Sequence, residues 1–215
     1  IKIPTDNILE APQHTFSEDF IEGVKYVIQE KTTFALVLLA LIPSIFMMPF
    51  TQSLMPVFAK DILKVDANGL GLILSAMGVG AFVGTLTLAS LGNIANKGKM
   101  LFIIGILAGL SLIIFSQTKI LIFSILVISF QGAFQMIYHS MNNTIIQTIT
   151  PNAMRGRVMS IYMLDHGLMP VGALIAGAVA QFYGADTAIL LGGIITFCLF
   201  IVGIFIFKPL WNFTS

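Results

Sequence analysis

The sequence predicts an all-α integral membrane protein whose six transmembrane helices form two three-helix repeats. Three observations carry this: a composition that is 57% apolar and only 10% charged, six long apolar runs with short connections, and an uneven distribution of basic residues. Soluble domains average about 45–50% apolar and about 25% charged residues, and a mean hydropathy of +0.95 sets this chain far apart from them. A net charge of +1 leaves no basic face for DNA or RNA, so nucleic acid is excluded as a partner. The single cysteine, Cys198, can make no disulfide within the chain. No span carries a nucleophile–base pair or a ligand cluster with metal spacing, so neither catalysis, a metal nor another cofactor is implied.

A spanning helix needs about 20 mainly apolar residues. The runs at roughly 33–58, 69–91, 100–116, 120–149, 157–182 and 188–207 satisfy that requirement. Between them lie "AKDILKVDAN", "GNIANKGK", "QTK", "TPNAMRG" and "YGADT", short enough to predict hairpin-like packing of neighbours. Lys2, Lys25, Lys31, Lys97, Lys99, Arg155, Arg157 and Lys208 fall on the side shared by both termini, against Lys60, Lys64 and Lys119 on the other. The positive-inside bias therefore predicts that both termini are cytoplasmic, which requires an even number of spans.

Residues 1–31 are expected to form a cytoplasmic segment with an amphipathic helix, residues 32–208 the six-helix transmembrane domain and residues 209–215 a cytoplasmic tail. In "TFSEDFIEGVKYVIQEK", Thr15 and Glu18 stand at capping-box spacing. Phe20, Ile21, Val24, Val27 and Ile28 follow at helical intervals, predicting a helix along the membrane interface. Against this, Glu18, Asp19 and Glu22 give it an acidic face, as an ordinary connector helix would have, whereas anionic lipids attract Lys and Arg. Residues 1 to 31 hold no signal peptide, and Ile1 in place of Met leads us to expect a natural polypeptide that begins further upstream.

The spans alternate with period three. The first and fourth are polar: one holds Ser44, Thr51, Gln52 and Ser53 among Pro43, Pro49 and Pro56, the other Gln131, Gln135, Tyr138, His139, Asn142 and Asn143. The second and fifth are glycine-rich, with Gly71, Gly78, Gly80 and Gly84, then Gly167, Gly172 and Gly177. The third and sixth are almost purely aliphatic and aromatic. Two such three-helix repeats are a known transporter construction. Amides and imidazoles are costly in hydrocarbon, so the polar spans should line a wet cavity. Glycine permits close helix approach, so the glycine-rich spans should pack on others, while nothing penalises the greasy spans for facing lipid. Gln131, Gln135, Tyr138 and Asn142 fall on one helical stripe, which makes them, with Gln52 and His139, the cavity candidates.

Several stretches carry a family resemblance. "PNAMRGRVMSIYMLDHGLMPVGALIAGAVAQFYGA" resembles the tenth-to-eleventh helix region of major facilitator superfamily exporters, in the group of enterobactin exporters and macrolide-efflux proteins. "FAKDIL", "NGLGLILSAMGVGAFVG" and "EDFIEGVKYVIQEK" are similar to that group's seventh-to-eighth helix region and the segment before it. The resemblance covers nearly the whole chain but only the C-terminal six of the family's twelve spans. It implies a multi-pass protein of the bacterial cytoplasmic (inner) membrane that exports amphipathic small molecules. It departs at the loop of the form G-x-L-A-D-R-x-G-R, which here reads "GNIANKGK", one residue shorter and with Asn96 where the acid would stand.

"GVGAFVG" matches part of a dinucleotide fingerprint, but that motif needs a strand before it in a soluble unit, so helix packing explains it better. Gly105 and Gly109 have GxxxG spacing, again a packing signal. "NNT" and "NFT" match a glycosylation acceptor, but one lies within a span and the other at the cytoplasmic end. Arg155 and Arg157 are either a hinge that binds carboxylates or lipid phosphates, or an anchor of positive charge. With Asn96 and Lys97 they are the candidates for a cytoplasmic gate.

Asp165 is the one acid inside any of the six runs, about 12 Å beyond Arg157 along a helix. A desolvated carboxyl there could take up and release a proton, which makes Asp165 and His166 the proton-coupling candidates. A buried structural ion pair explains the acid as well. Neighbouring residues on a helix point about 100° apart, so Asp165 and His166 are expected to find separate partners, with His139 one option for the acid. Pro170 could kink the span about one turn further on.

These features predict half of a proton-coupled exporter of amphipathic small molecules. Its expected partners are the lipid bilayer, the substrate, and an N-terminal half, a second copy of the chain or other membrane subunits. The rival expectation is a non-transporting structural subunit of a larger membrane complex, derived from a truncated transporter.

Overall fold

The computed structural model describes residues 16–92 and 96–211. Thr15 of the capping box, Lys2, the "NFT" stretch and the middle of "GNIANKGK" lie outside the described residues. Helix α1, Phe16–Gln29, precedes six helices long and apolar enough to cross a membrane: α2 (Lys31–Ile62), α3 (Ala67–Ser90), α4 (Lys97–Ser116), α5 (Leu121–Ile149), α6 (Asn152–Tyr183) and α7 (Ala185–Ile206). A last turn, α8, covers Lys208–Trp211. Among the described residues there are no strands.

Three expected connections are largely helical. α2 runs on through "FAKDI", α6 begins at Asn152 directly after Pro151, and only Gly184 separates α6 from α7. Charges ended the runs in the sequence, but Lys60 and Asp61 are exposed on the last turn of α2, where a helix end outside hydrocarbon tolerates them. The acid at the N-terminus of α3 has a clear role: Asp66 Oδ1 accepts the Gly69 N–H at 3.0 Å and caps the helix.

Two spans are broken, and proline explains both. A proline inside a helix removes an N–H and clashes with the carbonyl four residues back. In α2, Pro43 opens a π-helical turn, Pro43–Met47, and Pro49 and Pro56 restart the helix after it; a second π turn, Phe58–Ile62, ends the span. In α6, Pro170 bars a bond to the His166 carbonyl. Between breaks at Met163 and Leu168 stands a separate helical turn, Leu164–Gly167, where His166 N–H donates to the Met163 carbonyl and Leu168 N–H to that of Asp165.

The helix pairing has the internal symmetry that the period-three pattern implies. α3 packs on α5 and, in the second repeat, α6 packs on α2; α4 packs on α5 as α7 does on α2; and α4 and α7 pair with each other. The contacts are closest at glycine. A Cβ on Gly80 would stand 1.8 Å from the Ser129 carbonyl oxygen, and one on Gly132 2.1 Å from that of Met77. In the second repeat a Cβ on Gly172 would stand 2.4 Å from the Ile45 carbonyl oxygen. Apolar packing fills two clusters, one around Leu36, Phe102, Tyr138 and Phe200, the other around Phe50, Phe58, Phe115 and Ile189.

The assignment of faces from composition needs correction. Gly80, Gly84 and Gly172 do meet neighbours, but Gly71, Gly78, Gly167 and Gly177 face open space. The glycine-rich spans are the least buried, at 17% of their apolar windows, against 56% for greasy α4. α4 and α7 close on each other through their own small residues, with Gly105 against the Phe200 ring and Gly109 against Phe197. Lipid and protein are equally apolar to a leucine, so hydropathy does not say which of the two a face will meet.

Candidate functional site

Where α2, α5 and α6 meet the chain carries a narrow cleft with room for about one water, in which polar side chains interrupt an apolar lining. Its walls are Ala40, Pro43, Ser44 and Met48 of α2, Gln135, Tyr138 and His139 of α5, and Tyr162, Asp165 and His166 of α6. A shallower depression shares Met48, Gln135 and His139 and extends to Gln52, Leu74, Met77 and Gly78. The two together form one face shared by α2, α3, α5 and α6.

Asp165 lies at the floor and is only 4% exposed. It accepts a hydrogen bond from Ser44 Oγ at 3.0 Å, and its Oδ1 is 2.5 Å from His166 Nδ1. Adjacent residues therefore do pair, contrary to the sequence expectation. Both residues belong to the helical turn Leu164–Gly167; the 100° between their Cβ directions does not stop an aspartate and a histidine from rotating about their side-chain torsions until they meet. The His166 ring is half exposed and stands edge-on to His139, with centroids 5.7 Å apart. His139 thus reaches the acid through His166 rather than directly, and its other ring neighbour is Tyr162 at 6.3 Å.

The predicted wet stripe on α5 divides. Gln131 is fully buried and its Oε1 accepts from Ser111 Oγ of α4. Tyr138 Oη donates to the Leu39 carbonyl at 2.8 Å, and Asn142 Nδ2 to that of Leu36 at 3.2 Å. These three residues join α5 to α4 and α2, because carbonyls on the helical stretch before the π turn of α2 and a serine of α4 supply partners that the stripe itself cannot reveal. Tyr138 lines the cleft as well, but only Gln135 and His139 of the stripe also reach the more open depression, which exposed Gln52 shares. Gln135 Nε2 is buried without a hydrogen-bond partner among the described residues, as are Gln131 Nε2 and Asn142 Oδ1. The sequence marks Ser44 as a polar residue of its span but not as the partner of Asp165. A serine in an apolar helix ordinarily bonds its own backbone, and nothing local marks this one as the partner of an acid far along the chain.

At the end of the spans that carries most of the basic residues, Arg157 bonds Asp19 and, at 2.7 Å, Glu22 of α1. The carboxylates that engage it thus come from the chain itself. Arg155 is exposed, and Asn96 and Lys97 stand apart at the start of α4, where Lys97 borders a shallow depression with Met141 and Thr144.

Six spans in two symmetric repeats, two of them broken and polar where they meet, make an all-helical membrane-spanning protein. The chain belongs to the major facilitator superfamily, in the family described as transmembrane secretion effector, which matches residues 4–213. It is a transporter-type protein and not an enzyme. It is also 26% identical, over 160 residues, to a protein of Staphylococcus aureus (strain NCTC 8325 / PS 47) named Staphyloferrin A transporter. That match covers 74% of this chain and 40% of the relative, so the chain spans about two-fifths of the curated protein it matches. No solved structure matches it.

Proposed function

We propose that this chain is the C-terminal six-helix half of a proton-coupled exporter of amphipathic small molecules, as in the enterobactin-exporter and macrolide-efflux group, and works with a second half. One observation carries the reading: the buried Asp165 sits at the break of α6, bonded to Ser44 of the other broken span, on the floor of a cleft that opens on the face shared by α2, α3, α5 and α6. A second six-helix unit, supplied by upstream sequence, another subunit or a second copy, would close that face into a central cavity, as alternating access requires. Gln52, Gln135 and His139 would meet the substrate, with Met48, Met77 and Met136 as adaptable apolar wall. Asp165 would exchange the coupling proton through half-exposed His166. Arg157, released from Asp19 and Glu22, would gate the cytoplasmic side together with Arg155, Asn96 and Lys97. The basic-residue bias supports cytoplasmic termini in a bacterial inner membrane.

The burial of Gln131, Tyr138 and Asn142 favours a second reading, a non-transporting subunit of a membrane complex, since a dry stripe is what packing alone would produce. Transport in vesicles of the assembled protein separates the two. Staphyloferrin A, the cargo in the relative's name, is the first compound to assay. If Asp165 carries the proton, Asp165→Asn leaves assembly intact and uncouples flux from an imposed pH gradient. Unchanged pH dependence would remove the acid from the coupling role, and failure to assemble would favour the structural reading.

A further inference from the structure

α1 carries a docking surface that lies outside the cleft. One side of the helix is fixed to the start of α6. A Cβ on Gly23 would stand 3.0 Å from Ile161 Cδ1 and 3.1 Å from Arg157 Cβ, Val27 is buried, and Arg157 holds Asp19 and Glu22. At about 100° per residue this docking sets the rotation of the helix and turns Phe20, Ile21 and Ile28 away from the protein. They are 39%, 65% and 64% exposed.

What covers them follows from the surface they continue. Glu30 alone separates α1 from the spanning helix α2, so the stripe begins where the span ends. Ile28 shares a groove with Lys31, Thr32, Phe34, Ile206 and Phe207. Phe34 and Ile206 belong to outward faces of α2 and α7 that also expose Leu38, Val202 and Phe205, faces suited to lipid. The groove therefore joins the lipid-facing belt to the apolar side of α1. The acidic residues that argued for a solvated helix are largely accounted for, because Asp19 and Glu22 are engaged by Arg157. Lys25 and Lys31 are exposed beside the stripe.

We infer that α1 lies in the membrane interface, with Phe20, Ile21 and Ile28 docked on the phospholipid surface and Lys25 and Lys31 at the level of anionic headgroups. Buried apolar area and attraction to anionic lipid are the two terms that hold such a helix. α1 is thereby held from two sides, by the leaflet and by the base of α6.

Nitroxide labels at Ile21, Ile28 and Gln29 of the full chain, in a Cys198→Ala background, test the assignment in phosphatidylcholine–phosphatidylglycerol vesicles. Collision with oxygen reports lipid, and collision with a water-soluble nickel chelate reports water. The oxygen-to-nickel ratio at Ile21 and Ile28 is expected to be several-fold that at Gln29 on the polar side, and to fall when phosphatidylglycerol is omitted. Ratios at Ile21 and Ile28 no higher than at Gln29, with frequent nickel collisions, would place the stripe in water and overturn the inference. Rare collisions with both reagents would overturn it too, showing that protein, from a second copy or another subunit, covers the stripe. An unchanged ratio in neutral vesicles would overturn the role given to the two lysines.

Discussion

The two repeats solve the same packing problem differently. In the first, α3 crosses α5 as one unbroken helix against another, with Gly80 and Gly132 each seated on a carbonyl of its partner. In the second, the equivalent pair is α6 on α2; Gly172 makes the same kind of approach, but both helices are interrupted and the gap is bridged by Ser44 and Asp165. Close-packed backbone with no polar side chain between has one low-energy arrangement. A crossing of two proline-broken helices joined by a protonatable bond can have more than one. In the function proposed above, the first pair would serve as frame and the second as the moving part, with the cleft along the second.

The largest effect expected from breaking this comparison is at the frame. Gly80→Val drives a side chain into the Ser129 carbonyl, with no flexible neighbour to yield, and should cost upward of about 3 kcal/mol, enough to lose monodisperse protein in detergent. Gly177→Val, with nothing near its Cβ, should stay within about 0.5 kcal/mol by thermal unfolding. Equal losses at the two sites would mean that the α3–α5 contact is no tighter than the open face of α6.

The second repeat should respond through its polar bridge. Ser44→Ala leaves the buried Asp165 with His166 as its one hydrogen-bond partner and should lower stability by about 1–3 kcal/mol. In an Asp165→Asn background the same change should cost measurably less, because the two groups share one interaction. Strict additivity in that thermal-unfolding cycle would remove the bridge from the account.

The smallest effect belongs to the cap of α3. The Gly69 N–H, seconded by Asn68, holds the Asp66 carboxyl below the usual carboxylate range. Its folded-state pKa is depressed, so its contribution is present above the unfolded value and is lost as pH falls through the folded one. The thermal difference between wild type and Asp66→Ala should therefore be full at neutral pH and vanish in strong acid. A difference that persists there would assign the cap to packing rather than charge.

The sequence made the span count, the period of three and a buried acid at Asp165 legible, because hydrocarbon length, glycine content and a lone acid within an apolar run are local signals. Faces were harder to read. Gln131, Tyr138 and Asn142 read as wet because amides and a phenol need partners, yet Ser111 and the carbonyls of Leu36 and Leu39 on other helices engage Gln131 Oε1, Asn142 Nδ2 and the Tyr138 hydroxyl, leaving Gln131 Nε2 and Asn142 Oδ1 unpartnered among the described residues. The Asp165–His166 pair was hidden for a related reason. Helix geometry gives the direction of each Cβ but not the side-chain rotations that bring a carboxylate and an imidazole on adjacent residues together.

The account rests most on the claim that Gln52, Gln135 and His139 face water while Gln131, Tyr138 and Asn142 do not. Single cysteines at these six positions in a Cys198→Ala background, reacted in vesicles with a small hydrophilic thiol reagent, test it directly, with Ile104 and Phe200 as buried controls. The expected result is reaction at Gln52, Gln135 and His139 and protection at the other three to the level of the controls. Protection at all six would contradict the cleft, and reaction at Gln131, Tyr138 and Asn142 would restore the whole stripe as the wet wall.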